Sequence, residues 1–210
     1  MNFLLCLIAV GGVAALVLLR LWLYFRKEEC PVSVRVLVVA GSGGHTTEIL
    51  RLLGSLSKDY NPRHYVLADT DKMSAVKIRL FEEKRAERDS ESLYTTHRIP
   101  RSREVQQSWS SSVFTTLYAM CYSLPLTFRL KPDLVLCNGP GTCIPICASA
   151  LLLRILGIKK VIIVYVESIC RVETLSLSGK ILYHFSDYFF VQWPTLKGKY
   201  PKSVYLGRIV

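Results

Sequence analysis

Two glycine-bearing stretches each follow an apolar run and precede a helical pattern. The first is GSGGH, from Gly41 to His45, after VLVVA, and the second is NGPGT, from Asn138 to Thr142, after LVLC. Glycine lets backbone N–H groups approach a ligand closely, and the start of a helix favours an anion. One such turn is often only a tight connection, but two predict a shared anion site that includes Gly41, Ser42, Gly43, Gly44, Thr46, Asn138, Gly139, Gly141 and Thr142.

Side chains near these stretches could supply acid–base or charge chemistry. His45 is the first candidate for a general base because an imidazole titrates near neutral pH, and a hydrogen bond to a bound diphosphate is its alternative role. Glu167, which follows another apolar run, is the second candidate for the base. Arg101 and Arg103 suit an anionic ligand, although arginines in such a segment could equally form a solvated loop.

The glycine spacing matches neither of the common nucleotide motifs. A Walker loop needs a lysine after its last glycine, and neither stretch has one, which argues against a nucleoside triphosphatase. Gly41 and Gly43 match the start of the dinucleotide fingerprint G-x-G-x-x-G, but Thr46 stands at its third glycine. A stand-alone, membrane-bound Rossmann-type dinucleotide enzyme, with Asp69 on a ribose, is therefore the alternative function.

A further acidic sequence, DTD, begins at Asp69. It resembles the paired aspartates with which some glycosyltransferases hold a metal, but we interpret it as a turn after a strand. We expect neither a metal ion nor another cofactor.

The elements that position these residues alternate between apolar runs and helical patterns. Strands are predicted at 34–40, 64–68, 94–99, 134–137, 161–166 and 188–192, and helices at 46–56, 73–88, 107–130 with a break at Pro125, 141–156 and 175–184. Continuous β-branched runs are typical of parallel strands buried on both faces. The alternation predicts an α/β fold with a Rossmann-like, doubly wound parallel sheet, in which ligands bind beyond the carboxyl ends of the strands.

The amino-terminal segment predicts a membrane anchor. Residues 3–19 carry no charge, and LWLYF extends the apolar segment past Arg20 to Phe25. As a helix, residues 3–25 span roughly 34 Å, enough to cross a bilayer core. Basic residues follow this segment, which favours a retained single transmembrane anchor in residues 1–27 over a cleaved signal peptide and places residues 28–210 in the cytosol as one domain.

The composition agrees with a cytosolic domain at a membrane. The net charge of +11 suits anionic lipid headgroups or phosphorylated ligands. No nucleic-acid-binding motif occurs, so we expect no nucleic-acid partner. Seven cysteines without a CxxC spacing are typical of free thiols in a reducing compartment.

Five segments resemble the membrane-anchoring subunit of the eukaryotic two-chain UDP-N-acetylglucosamine transferase: GSGGHTTEILRLL, PRSREVQQSW, LVLCNGPGTCIPICASALLL, VIIVYVESICRVETLSLSGKILYHFSDYFFVQWP and YLGRIV. The likeness covers nearly the whole chain. It implies a role in adding the second N-acetylglucosamine (GlcNAc) to dolichol-pyrophosphate-linked GlcNAc, during synthesis of the precursor of N-linked glycans. It also implies a location at the cytosolic face of the endoplasmic reticulum (ER) membrane.

This subunit is in turn similar to the amino-terminal half of the single-chain bacterial enzyme that makes lipid II, which has the two-domain GT-B architecture. That likeness implies that both glycine stretches hold the acceptor's diphosphate. Glu167 matches the start of a bacterial E-x-N motif, but Ile169 replaces its Asn. Half of a cleft enzyme cannot bring donor and acceptor together, so the resemblance implies a soluble, donor-binding catalytic subunit as partner and no catalysis by this chain alone.

Two apolar segments predict contacts outside the domain. The carboxyl-terminal SVYLGRIV contains Leu206, Ile209 and Val210 without an amphipathic helix to bury them, so we expect these residues to bind the partner chain. Residues 113–130 are very apolar for a surface helix. We expect them to pack in the core, and a dip into the membrane beside the acceptor's lipid is the alternative.

Overall fold

The computed structural model describes residues 33–103 and 107–210. The transmembrane helix predicted in residues 1–27 lies outside these ranges. Among the described residues, no helix combines the length and the apolar character needed to cross a membrane.

Strands and helices alternate along the described chain, as the sequence predicts. The strands are β1 (Val36–Val39), β2 (Arg63–Ala68), β3 (Tyr94–Ile99), β4 (Leu134–Asn138), β5 (Ile162–Val166), β6 (Tyr188–Val191) and β7 (Val204–Tyr205). The helices are α1 (Gly44–Gly54), α2 (Lys72–Ala86), α3 (Trp109–Leu130), α4 (Cys143–Ile155), α5 (Leu177–Leu182) and α6 (Pro194–Lys199). The short elements α6 and β7 are additions to the prediction.

All seven strands belong to one parallel sheet in the order β3-β2-β1-β4-β5-β6-β7. The predicted parallel, Rossmann-like α/β fold is therefore confirmed. The chain reverses its direction across the sheet between β1 and β4, where Val39 pairs with Cys137. The two glycine stretches follow these two neighbouring strands, and such a switch point is where ligands bind in open α/β sheets.

The sheet is buried on both faces. Leu37 and Val39 of β1 belong to a core cluster that includes residues of α4 and α5, whereas Val36 and Val38 belong to a second cluster that includes residues of α1 and α2. This alternation explains why β1 is a continuous apolar run. Three cysteines of the first cluster are buried free thiols: Cys137, Cys143 and Cys147.

Helix α3 is unbroken and is less buried than predicted. It continues through Pro125, so the predicted break is wrong. Pro125 and Cys121, the residue four positions earlier, are both exposed, so solvent compensates for the missing backbone bond. The end of α3 packs in the core through Leu126, Phe128 and Leu130, but its first half exposes the side chains of Val113, Phe114, Leu117, Tyr118 and Tyr122.

A buried ion pair ties α2 to β2. The guanidinium of Arg63 donates to both carboxylate oxygens of Glu82, at 2.8 and 2.7 Å, and both side chains are fully buried. The hydroxyl of Tyr65 also donates to Glu82. Burial alone would raise the pKa of Glu82, but the hydrogen bonds from Arg63 and Tyr65 outweigh it and lower this pKa.

Replacing Glu82 should therefore destabilise the fold. We expect Glu82→Gln to cost about 3 kcal/mol, because it leaves the Arg63 charge buried without its counter-charge. Thermal unfolding of the full-length chain in detergent, followed by circular dichroism, measures this loss. Glu83→Gln is the matched control, because Glu83 forms only an exposed pair with Arg79 at 3.7 Å. Equal melting temperatures for the two variants would contradict the stabilising role of the buried pair.

Candidate functional site

A cavity of about 630 Å³ opens at the carboxyl ends of the strands. The loops after β1, β3, β4 and β5 all reach it, and the first half of α3 closes one side. Eight of the residues that the sequence places in an anion or catalytic site line this cavity: Gly41, Ser42, His45, Arg101, Arg103, Gly139, Gly141 and Thr142.

The first glycine stretch forms the turn from β1 into α1. Gly43 precedes the helix with a φ of 66°, a conformation that favours glycine, and no side chain caps the helix start. A Cβ atom on Gly41 would lie 2.7 Å from Cγ of Pro140 in the second stretch, so only glycine permits this approach. Gly43 and Gly44 do not line the cavity themselves, and they set the direction of α1.

The second glycine stretch forms the turn from β4 into α4 and touches the first. Gly139 has a φ of 69°, and a Cβ atom there would lie 2.5 Å from Cε1 of His45. The imidazole of His45 therefore lies directly against the backbone of the second loop. Helix α4 begins after Thr142, whose side chain makes no capping bond. Two helix starts without side-chain caps thus meet at one cavity. The N–H groups of Cys143 and Ile144 donate to the carbonyls of Pro140 and Gly141, so at α4 the helix dipole is what favours an anion.

Arginines give the cavity a positive wall. Arg101, Arg103 and Arg171 line it, and no acidic residue does among the described residues. The Nε atom of Arg101 donates to the hydroxyl of Thr70 at 3.1 Å. Arg101 and Arg103 were predicted here, whereas Arg171 was not.

Thr46 does not line the cavity, and it stabilises the first glycine loop from the buried side. Its hydroxyl is fully buried, donates to the carbonyl of Gly41 and lies 2.6 Å from the hydroxyl of Ser74. Ser74 in turn donates to the carboxylate of Asp71 at 2.6 Å. A chain of hydrogen bonds from the start of α2 thus holds the first loop in place.

The DTD sequence forms a turn and a helix cap. Oδ1 of Asp69 accepts from the N–H of Thr70 at 2.8 Å, and Asp71 caps α2 by accepting from the N–H of Ser74 at 3.0 Å. The interpretation as a turn is confirmed. No group of three or more His, Cys, Asp or Glu side chains within residues 33–103 and 107–210 could hold a metal ion.

Glu167 lies beneath the loop that follows β5. It is fully buried, and its oxygens accept from the N–H of Ser168 at 3.2 Å and from the N–H and hydroxyl of Ser176 at 3.0 and 3.1 Å. Burial raises the pKa of Glu167, against the opposing effect of these hydrogen bonds. The side chain does not line the cavity, and it fixes the loop that brings Arg171, Ser176 and Ser178 there.

The sequence offered one signal for these additional cavity residues. The stretch VESICRVETLSLSGK after β5 is long and polar where a short turn would suffice. Only Glu167 of this stretch was predicted as a site residue, because a carboxylate is a more familiar catalytic group than a serine in a loop. In the structure the cavity-lining residues of this stretch are Arg171, Ser176, Leu177 and Ser178.

The carboxyl-terminal segment returns to its own domain. The N–H of Ile209 donates to Oε1 of Gln192 at 2.9 Å, and its side chain packs against the second core cluster. Ile209 therefore has a surface on its own domain, because the chain turns at Gly207, with a φ of 87°, toward the end of β6. Its contact with a partner chain stays a prediction. Leu206, in contrast, is 67% exposed.

The fold and cavity define a Rossmann-like α/β domain with an arginine-lined cleft at its switch point. The crystal structure of MurG from Acinetobacter baumannii has a similar fold, with a TM-score of 0.55 and 16% sequence identity. The match covers 83% of this chain and 45% of that chain, so the shared fold corresponds to less than half of the MurG chain.

A family model described as "Oligosaccharide biosynthesis protein Alg14 like" matches residues 36–209, and the chain belongs to this family. The human protein named "UDP-N-acetylglucosamine transferase subunit ALG14" is 72% identical over 207 residues, covering 96% of each chain. The proteins of the same name from rat and from Yarrowia lipolytica are 69% and 40% identical. Their alignments cover 96% of each chain for rat, and 97% of this chain and 98% of the relative for Yarrowia lipolytica.

Glycines at the cavity allow a test of anion binding that is separate from folding. A Cβ atom on Gly141 would lie 3.9 Å from Cβ of Arg103, an ordinary van der Waals contact, so Gly141→Ala should fold and narrow the cavity. We expect about tenfold weaker binding of inorganic pyrophosphate, equivalent to about 1.4 kcal/mol, in calorimetric titration of the full-length chain.

Two further variants control this test. Gly198→Ala in α6, where the added atom meets nothing within 4 Å, should bind pyrophosphate normally. Gly139→Ala should instead lower the melting temperature, because it combines a positive φ with a clash against His45. Unchanged pyrophosphate binding by Gly141→Ala would contradict an anion site at this cavity.

Proposed function

We propose that this chain is the acceptor-binding, membrane-anchoring subunit of a UDP-GlcNAc transferase that adds the second GlcNAc to GlcNAc-pyrophosphate-dolichol. One observation carries the proposal for the site: two helix starts without side-chain caps and three arginines surround a single cavity in a chain of the Alg14 family. The names of the relatives support the reaction class.

The acceptor's diphosphate would bind between the two glycine loops. Backbone N–H groups at the start of α1 and in the glycine loop before α4 would donate to its oxygens, and the arginines would balance its charge. Val113 and Leu117 line the same cavity, and Phe114 and Tyr118 continue the apolar surface outward. The lipid tail, or the membrane itself, would meet α3 there.

The reaction would invert the configuration of the donor sugar. The acceptor's 4-hydroxyl oxygen attacks the anomeric carbon of UDP-GlcNAc, the bond from that carbon to the diphosphate oxygen breaks, and UDP leaves. A base must take the hydroxyl proton. His45 lines the cavity and is the first candidate in this chain, whereas Glu167 would act by holding the loop after β5.

The other half of the catalytic cleft would come from a soluble donor-binding subunit. This chain spans 45% of the MurG chain that shares its fold. Leu206 is exposed and is the first candidate for the contact, with Val210 beside it, whereas Ile209 would act indirectly by fixing the segment against the domain.

Residues 1–27 would hold the domain at the cytosolic face of the ER membrane as a single-pass anchor. The uncharged segment and the basic residues that follow it support this location. We expect the full-length chain to float with membranes and a chain without residues 1–27 not to float. Equal flotation of both would contradict the anchor.

Reconstitution tests the function. Alone, the purified chain should show no turnover of UDP-GlcNAc with a dolichol-type acceptor, and the donor-binding subunit should restore turnover. In the assembled complex, His45→Ala should lower kcat by about 100-fold, the usual contribution of a general base. Turnover by this chain alone would overturn the proposal, and tight binding of a nicotinamide dinucleotide would instead support the alternative enzyme class.

Two variants in the carboxyl-terminal segment distinguish a loss of partner binding from a loss of stability. Leu206→Ser should weaken co-purification with the donor-binding subunit and leave the melting temperature unchanged, because the side chain is exposed. Ile209→Ala should lower stability by about 2 kcal/mol, because it removes packing against the core. If Leu206→Ser retains full partner affinity, the partner binds another surface.

A further inference from the structure

A buried carboxylate connects three of the segments that surround the cavity. Glu48 is the fifth residue of α1, in its second turn, and is 8% exposed. One of its oxygens accepts from Nδ2 of Asn138 at 2.9 Å, and the other accepts from the hydroxyl of Ser168 at 2.9 Å. Asn138 is the last residue of β4, and Ser168 belongs to the loop after β5. No role for Glu48 was predicted from the sequence.

The carboxylate fixes the orientation of the Asn138 amide. An amide presents an acceptor oxygen on one side and a donor NH₂ group on the other, and the two ends are normally distinguished only by their partners. A carboxylate accepts and does not donate, so the NH₂ group of Asn138 must face Glu48. The carbonyl of Val166, 3.4 Å from the same nitrogen, is also an acceptor. The amide oxygen therefore faces away from Glu48.

The oriented amide in turn fixes the proton on His45. Oδ1 of Asn138 lies 3.0 Å from Nδ1 of His45. Since Oδ1 only accepts, Nδ1 must carry the hydrogen, and in a neutral ring Nε2 then holds a lone pair. His45 lines the cavity wall and its ring lies against Gly139, so the ring cannot easily turn over. Nε2 is the ring nitrogen left to meet a ligand.

We propose that Glu48 is a positioning residue: through Asn138 it keeps the proton of a neutral His45 on Nδ1 and leaves the Nε2 lone pair to take the acceptor's hydroxyl proton. This inference rests on the proposed transferase function. It also decides between the two roles considered for His45. A neutral ring without a hydrogen on Nε2 cannot donate to a diphosphate from that atom, whereas it can act as a base.

The tautomer of His45 can be measured without any assay of activity. The full-length chain, labelled with ¹⁵N in its four histidines, is studied by NMR in detergent at a pH where the rings are neutral. Protonated and unprotonated ring nitrogens differ widely in chemical shift, and His45→Ala identifies the signals of His45. We expect hydrogen on Nδ1 in the unsubstituted chain. Hydrogen on Nε2 would overturn the proposal.

Glu48→Gln tests the cause. The new amide can offer either a donor or an acceptor to Asn138. The longer contact with the carbonyl of Val166, at 3.4 Å, then holds the Asn138 amide more weakly than the carboxylate did, and we expect a mixture of both His45 tautomers. In the complex, kcat should fall by about tenfold or more with little change in KM for UDP-GlcNAc, as for other groups that orient a catalytic histidine. A pure Nδ1–H tautomer in Glu48→Gln would overturn the proposal.

Two comparisons isolate this effect from other failures. Glu82→Gln also removes a buried carboxylate and lowers stability, but it should leave the His45 tautomer unchanged, because Glu82 contacts Arg63 and Tyr65 instead. If Glu48→Gln fails to fold, the His45 tautomer in the unsubstituted chain still decides whether the proposal holds. If the tautomer is as expected but His45→Ala retains full transferase activity, the base role fails while the positioning of the ring stands.

Discussion

The contact between the ring of His45 and the backbone of Gly139 is the constraint on which the site depends. A side chain at position 139 would come within 2.5 Å of the ring, and one at position 41 would collide with Pro140. The two loops can therefore touch only where each has glycine. This contact is possible because β1 and β4 are neighbours at the point where the sheet reverses direction. It brings the starts of α1 and α4 to the same cavity.

Hydrogen bonds of buried side chains that do not line the cavity stabilise this arrangement. Thr46 and Ser74 hold the first loop from α2, Glu48 connects it to the second, and Glu167 fixes the loop after β5. Each of these groups is buried, so a missing partner would leave an unsatisfied polar atom, which is costly in a low-dielectric interior. The polar residues of the site therefore fall into two sets. One set lines the cavity, and the other keeps the first set in position.

Local chemistry explains how much of this could be predicted from the sequence. The bounds of β3 (Tyr94–Ile99) and the glycine loops were predicted correctly, because strand propensity and the need for positive φ act on neighbouring residues. Long-range contacts were not accessible in this way. Glu48 looks like any polar residue of an amphipathic helix until Asn138, 90 positions away, is placed against it. Likewise, β7 has two residues and shows no pattern of its own.

The central proposal is that the cavity of this chain binds the diphosphate of a lipid-linked sugar and not the nucleotide donor. Calorimetric titration of the full-length chain in lipid nanodiscs, without any partner, tests it directly with a short-chain lipid diphosphate GlcNAc, the corresponding monophosphate and UDP-GlcNAc. The account predicts saturable binding of the lipid diphosphate, weaker binding of the monophosphate and the weakest binding of UDP-GlcNAc. Tighter binding of UDP-GlcNAc than of the lipid diphosphate would contradict it.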